Sequence, residues 1–239
     1  MSKLGYRKVT LIVSLSVIVF LATIGGLWMA YAQFEGPEVL IQGDFDGWGY
    51  VAYRENGSVM AEVMYDHDTL EGIRAYAAAN SIWARDLLQN NNTVYVVVVL
   101  RKPISFEQFQ AKVEDIGIDV ESFVIRAFAP DGERWTIFGE PSEEELVPQR
   151  FVDQAIENVL GKTQLTLEIA GIVTFSGRID RDAYLDLSAD SEVFFIDIMA
   201  EIVRQEVRRT LDDVSVEVEV HSAPTYWFME NLGLKAFEN

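Results

Sequence analysis

Few side chains in this sequence can do covalent or metal chemistry, and their placement narrows the reactions open to it. There is no cysteine, and there are two histidines, His67 and His221. Thiol nucleophiles, thiolate metal sites and disulfides are excluded, and most nucleophile–base pairs lack their base. No G-x-S-x-G, H-E-x-x-H or G-x-G-x-x-G occurs. Asp66-His67-Asp68 is the one short cluster of metal-ligand types. A transition-metal site needs three or four converging ligands. Here neighbouring residues point apart and Asp68 stands where a helix needs a cap, so the cluster reads as structural.

Asp44-Phe45-Asp46-Gly47-Trp48-Gly49 has the opening of a calcium loop, with carboxylates at positions 1 and 3 and a glycine for the bend. Asp44 and Asp46 are therefore candidates for adventitious Ca²⁺. Trp48 occupies position 5, where a ligand is required, and Glu55 falls at position 12. No other cofactor is expected. Gly161-Lys162-Thr163 mimics the end of a phosphate loop, but Ile156 stands where an earlier glycine is needed and the element order is wrong. Asp180, Asp182, Asp186 and Asp190 could supply a carboxylate pair for acid–base work. On a helix, Asp182 and Asp186 would share a solvated face. Asn56-Gly57-Ser58 and Asn91-Asn92-Thr93 are formal glycosylation acceptors on loops.

Tyr226-Trp227-Phe228-Met229 follows Pro224 near the C-terminus. Four large apolar residues in a row exceed what one amphipathic face needs. They read as a cap on the core, with a partner-binding surface, of the residue types favoured at interfaces, as the alternative for which they are the candidates.

Val9 to Phe34 carries no charged residue; Lys3, Arg7 and Lys8 precede it and Glu35, Glu38, Asp44 and Asp46 follow. Val9–Trp28 spans about 30 Å as a helix, the thickness of a hydrocarbon core. The basic flank predicts an N-terminus inside and a C-terminal domain outside the cytoplasmic membrane, single-pass. Ala30-Tyr31-Ala32 is also a cleavage-type site, so secretion after Ala32 is the alternative. Ala22, Gly26 and Ala30 recur every fourth residue, a stripe that lets a second membrane helix pack closely.

All 38 acidic residues lie after residue 32, against 16 of the 19 basic ones, so the exported part carries a net charge near −22. That charge repels phosphate backbones, and no nucleic-acid partner is expected. A cysteine-free exported domain must rest on its core.

Several elements are legible downstream. Tyr50–Tyr53 and Val59–Val63 flank Asn56-Gly57, a type I′ hairpin. Asp68 reads as the cap of a helix with Leu70, Ile73, Tyr76, Ala77, Trp83 and Leu87 on one face. Residues 94–100 are continuously apolar, the mark of a central strand buried on both sides. Ser105 caps a helix closed by Gly117. Strands follow at Val120–Phe128 and Arg134–Phe138, then a helix after Pro148 closed by Gly161, and a strand over Leu165–Phe175. Asp180–Leu187 and Ala200–Leu211 read as helices, Val193–Ile198 as a strand, and Val214–Val220 as a half-buried strand.

The class is α+β: an N-terminal transmembrane helix, then an exported domain with a ferredoxin-like βαββαβ centre and an α/β extension. The expected divisions are 1–32 anchor, 33–92 hairpin and helix, 93–176 centre, and 177–239 extension. The function this implies is a non-catalytic, membrane-anchored interaction module: an accessory subunit, scaffold or sensor with a protein partner. The alternatives are a secreted inhibitor or prodomain-like binder of a hydrolase, released after Ala32, and a carboxylate-based enzyme.

Overall fold

The computed structural model describes residues 37–163 and 166–237, which form a mixed α+β fold of two sheets and six helices. The anchor reading and the Ala22, Gly26, Ala30 stripe lie outside the described residues. Among the described residues no helix is long and apolar enough to cross a membrane.

The first sheet contains β1 (Glu38–Phe45), β2 (Trp48–Glu55), β3 (Ser58–Met64) and β9 (Val218–Ser222), in that order. Asn56 and Gly57 have φ of 51° and 87°, and Glu55 pairs with Ser58. This is the tight hairpin expected of Asn-Gly, whose positive φ angles match the strand twist. β9 runs parallel to β3, Val59 opposite Val218. It begins four residues later than the valine alternation predicts. Local polar bonds take the backbone first: Asp213 accepts from Ser215 N at 2.9 Å, and Arg208 Nε donates to the Val216 carbonyl at 3.0 Å. Val214 is left 87% exposed.

The second sheet is antiparallel throughout: β6 (Arg134–Gly139), β5 (Asp119–Phe128), β7 (Glu168–Ile179), β4 (Val94–Ile104) and β8 (Val193–Asp197), in that spatial order. The sequence order strand, helix, strand, strand, helix, strand is as read, but the ferredoxin-like sheet is not formed. In that fold the third strand of the unit separates the first two. Here the fourth, β7, does so, and β6 lies at the edge. Burial explains the exchange. β7 is twelve residues long with Ile172, Val173 and Phe175 buried, a strand with two apolar faces. β6 has six residues and carries exposed Arg134 and Phe138, which suit an edge. Residues 177–239 join both sheets, β8 beside β4 and β9 beside β3.

Six helices cover these sheets. In α1 (Leu70–Asn90) the cap is Thr69, not Asp68. Asp66 accepts the Thr69 hydroxyl at 2.7 Å and Asp68 N at 3.2 Å, which frees Thr69 Oγ1 to accept from Gly72 N at 3.0 Å. α2 (Phe106–Ile116) has the Ser105–Gln108 capping box and ends on Gly117 at φ 73°. α3 (Gln149–Thr163) runs through Gly161 instead of stopping there; open space surrounds that glycine. α4 (Arg181–Ala189) is capped by Asp180. α5 (Met199–Leu211) and α6 (Thr225–Leu232) follow, then a short 3₁₀ turn, Leu234–Phe237.

Alternation along β4 divides the interior. Val94, Val96, Val98 and Leu100 join a core with Phe109 of α2, Val152 of α3 and Leu187 of α4. Val99 faces the other way, into a core with the first sheet, Met199 and Val203 of α5, and Tyr226 and Met229 of α6. The apolar run 94–100 is thus buried on both sides, as its composition requires. α1 serves both cores, with Ile73, Tyr76 and Ala79 in one and Ala84, Leu87 and Leu88 in the other.

At Gly171 on β7, φ is 130° and a Cβ would lie 2.1 Å from the Ile104 carbonyl oxygen. Both the angle and the contact exclude a side chain. Gly171→Ala should therefore cost more than about 2 kcal/mol. Urea unfolding measures this; a loss below 0.5 kcal/mol would contradict the close strand approach.

Candidate functional site

The residues named from sequence do not gather into one site. Asp44 is the penultimate residue of β1, Asp46 lies in the turn after it, and both are exposed. Glu55 cannot join them. β2 is extended, which carries Glu55 roughly 23 Å from the turn at ~3.3 Å per residue. The stretch is instead an aromatic turn, Phe45 stacked on Trp48 at 4.6 Å with Trp83 edge-on to both. His67 bonds Asp68 at 3.0 Å and stacks on Phe228 at 3.8 Å. Asp180 caps α4, Asp190 pairs with Lys112, and Asp182 and Asp186 are exposed. Among the described residues no three His, Asp or Glu side chains converge on a metal position.

The C-terminal aromatic run divides by helical geometry. In α6, Tyr226 and Met229 are three residues apart and face the core, 2% and 0% exposed. They are packing residues, as the core-cap reading of this run has it. Trp227 is 41% exposed and Phe228 is half-buried. One helical face is enough for two of the four.

What fixes α6 on the second sheet is an ion pair that sequence reasoning missed. Arg126 of β5 is 2% exposed. Its Nε donates to Glu230 Oε1 at 2.9 Å and a terminal nitrogen lies 2.7 Å from Glu230 Oε2, a two-point contact. Its other terminal nitrogen donates to the Trp135 carbonyl at 3.2 Å and to Thr136 Oγ1. Arg134 reaches Glu230 at 3.3 Å from outside. The guanidinium also lies 5.8 Å from the ring centres of Tyr226 and Trp227. A planar fork with an ion pair on one side and carbonyl and hydroxyl acceptors on the other is the setting in which arginine tolerates burial. Beside it an open groove of about 440 Å³ is lined by Arg126, Arg134, Trp135, Phe138, Trp227 and Glu230.

On the other side of Trp227 lies a smaller cavity of about 170 Å³ between the second sheet and α6. Val97, Val99, Val124 and Val173 form its floor, and Asp197 is the one charged residue on its wall. Asp197 ends β8 and is 4% exposed. Tyr76 Oη donates to its two oxygens at 3.1 and 2.9 Å, and Met199 N donates to Oδ1 at 2.9 Å. Asn80 braces the same junction, accepting from Ile198 N at 2.8 Å and donating to the Tyr76 carbonyl at 3.0 Å. Tyr65 stacks on Tyr76 at 3.9 Å and shares a 2.7 Å hydrogen bond with Thr225. Burial pushes the Asp197 carboxyl up to about 6, against the lowering effect of Met199 N–H and Tyr76. Burial and the neighbouring Asp197 raise the Tyr76 phenol, and burial raises that of Tyr65.

No protein-family model, curated protein or solved structure matches the chain.

Both missed residues leave the same trace in sequence: a lone charge inside an apolar strand, Arg126 in Phe-Val-Ile-Arg-Ala-Phe and Asp197 in Phe-Phe-Ile-Asp-Ile. Such residues are rarely fully buried unless partnered.

Two outcomes follow from this chemistry. Glu230→Ala leaves Arg126 buried without a counter-ion and should cost ~3–5 kcal/mol, read by urea unfolding; a cost under 1 kcal/mol would show that water reaches Arg126. Asp197 has a folded value above its unfolded one, so its favourable contribution is complete below the unfolded value near 3.8 and is lost as pH rises to about 6. Asp197→Asn removes that loss. Relative to the parent chain it should gain up to ~3 kcal/mol between pH 4 and pH 7. Parallel pH-stability curves for the two proteins would contradict this.

Proposed function

We propose that this chain is a non-catalytic interaction module held at the outer face of the cytoplasmic membrane, docking a protein partner on the surface made by β6 and α6. The observation that carries the reading is the juxtaposition of two exposed aromatic side chains from different elements. Phe138 of β6 is 67% exposed and Trp227 of α6 is 41% exposed, and both line the groove over the Arg126–Glu230 pair. Aromatic anchors on a rigid base, flanked by Arg134, Glu133 and Asn231, have the composition of a binding hot spot with a polar rim. Among the described residues β6 is also an outer strand of its sheet, so its backbone is placed to pair with an extended segment.

The membrane part of the reading is supported by sequence: the charge-free stretch Val9–Phe34 with Lys3, Arg7 and Lys8 before it. The non-catalytic part is supported by the state of the groove's carboxylates. Glu230 is engaged by two arginines, and Glu133 is an exposed residue at the rim. Neither is an unengaged acid facing a second one across a site, as a glycosidase pair requires.

The test is photo-crosslinking in membranes of the native host, with a light-activated residue at position 138 or 227 and a control at Leu185, which is 53% exposed on α4. A discrete adduct from 138 and 227, lost when the other position is changed to Ser, supports the surface. The same adducts from 185 would sink it. Phe138→Ser should change unfolding free energy by less than about 1 kcal/mol, since that side chain is 67% exposed, whereas Trp227→Ser also removes the covered part of a ring that is 41% exposed and should cost more.

A further inference from the structure

We propose that the cavity between the second sheet and α6 is a binding site for a small organic ammonium ion, with the Asp197 carboxylate as its counter-ion and Trp227 and Tyr226 as its aromatic wall. The inference does not rest on the partner-docking reading; it concerns what the domain binds in its own interior.

Three observations carry it. Asp197 is a buried carboxylate to which Tyr76 Oη and Met199 N donate, and among the described residues no cation pairs with it. Buried charges in proteins are normally paired, as Arg126 is in this same chain. The carboxylate also faces a space. It lines a cavity of about 170 Å³ whose other walls are chiefly Val97, Val99, Val124, Val173 and Pro224. Finally, Tyr226 is among the residues lining that cavity, and its hydroxyl is buried without a hydrogen-bond partner.

These features select the ligand class. A single carboxylate among aliphatic side chains compensates one positive charge and accepts few hydrogen bonds, which suits a primary ammonium on a short apolar body. A divalent metal ion needs several oxygen ligands in place of its water, and among the described residues no three acidic or histidine side chains converge. An anion meets the Asp197 charge. Aromatic faces favour the cation: Trp227 and Tyr226 stand on the α6 side, with exposed Phe138 and Trp227 at the rim. Tyr76 ties the carboxylate to α1, and Thr225 at the start of α6 is bonded to Tyr65, so an ion held there bears on the helix that presents Trp227.

The experiment is calorimetric titration of the detergent-solubilised full chain at pH 7.5 with benzylammonium and n-butylammonium, and with benzyl alcohol and n-butanol as neutral isosteres. The ammonium ions should bind and the alcohols should not. Asp197→Asn should weaken benzylammonium on the order of 100-fold, the usual consequence of removing one partner of a buried charge pair. Trp227→Ala, at a position 41% exposed, should weaken it about 5-fold through the lost cation–π face, in protein that still unfolds cooperatively in urea. Binding of the alcohols as tightly as the amines, or unchanged amine affinity in Asp197→Asn, overturns the proposal. Absence of amine binding at millimolar concentration overturns it as well. Should Asp197→Asn not fold, the amine–alcohol difference and the Trp227→Ala result decide.

Discussion

The contact on which the rest of this structure depends is the hydrogen bond from Tyr76 to Asp197. It joins the middle of the longest described helix to the end of β8, at the boundary between the two cores. Asn80, one turn along α1, takes the Ile198 N–H that α5 leaves unbonded at its start. α1 is thereby pinned at a single depth and rotation. That placement lets its first half pack against the first sheet and its second half against the helix-covered face of the second. Apolar contacts alone permit a helix to slide or turn by a residue. Two directional bonds in a low-dielectric interior do not.

A second constraint sets the exposed surface. The second sheet has one face covered by α2, α3 and α4, and its other face is shared among α5, α6 and the first sheet. β5 places Arg126 on that second face, opposite Thr136 of β6. A buried guanidinium requires an acceptor, and Glu230 supplies it from the last turn of α6. With Tyr226 and Met229 already in the core, the ion pair fixes the helix at both ends. Trp227 is then directed outward, beside Phe138. Arg101, bonded to the Phe237 carbonyl and stacked near Phe194, holds the chain just beyond α6 in the same way. The exposure of Trp227 follows from where the buried Arg126 found its partner.

This also explains what could be read from sequence. Features set by residues near one another in the chain were legible: the Asn56-Gly57 hairpin, the Ser105 cap with Gly117 and the twofold burial of residues 94–100. The Thr69 cap was displaced by one residue because Asp66, three positions earlier, organises the turn. The strand order was not legible, because β6 and β7 differ in which has two apolar faces, and the run of strand and helix symbols does not record that. β9 was foreshortened by side-chain bonds from Asp213 and Arg208 that compete for its backbone. Of the proposed partner surface, Trp227 was named and Phe138 was not, since an exposed phenylalanine at a strand edge looks like any other strand residue until the edge is known. Arg126 and Asp197 passed as ordinary members of apolar strands.

The two buried charges differ in a way that bears on role. Arg126 is neutralised inside the chain, so its cost of burial is offset whatever the domain meets, and it acts as a rivet. Asp197 is held by Tyr76 and Met199 N–H alone, and burial still outweighs them, since its carboxyl stands above the ordinary range. An asparagine would fill the same space without that cost. The aspartate therefore contributes nothing to stability at neutral pH that a neutral residue would not. Its distinguishing property is a charge near neutrality at the wall of a cavity. A hydrogen-bonded, positioned, cation-free carboxylate has a fixed direction of attraction, and any positive group reaching it recovers the energy that burial withheld. The Tyr76–Asn80 brace serves the fold, and the acid's charge is what the proposed ammonium ion would meet.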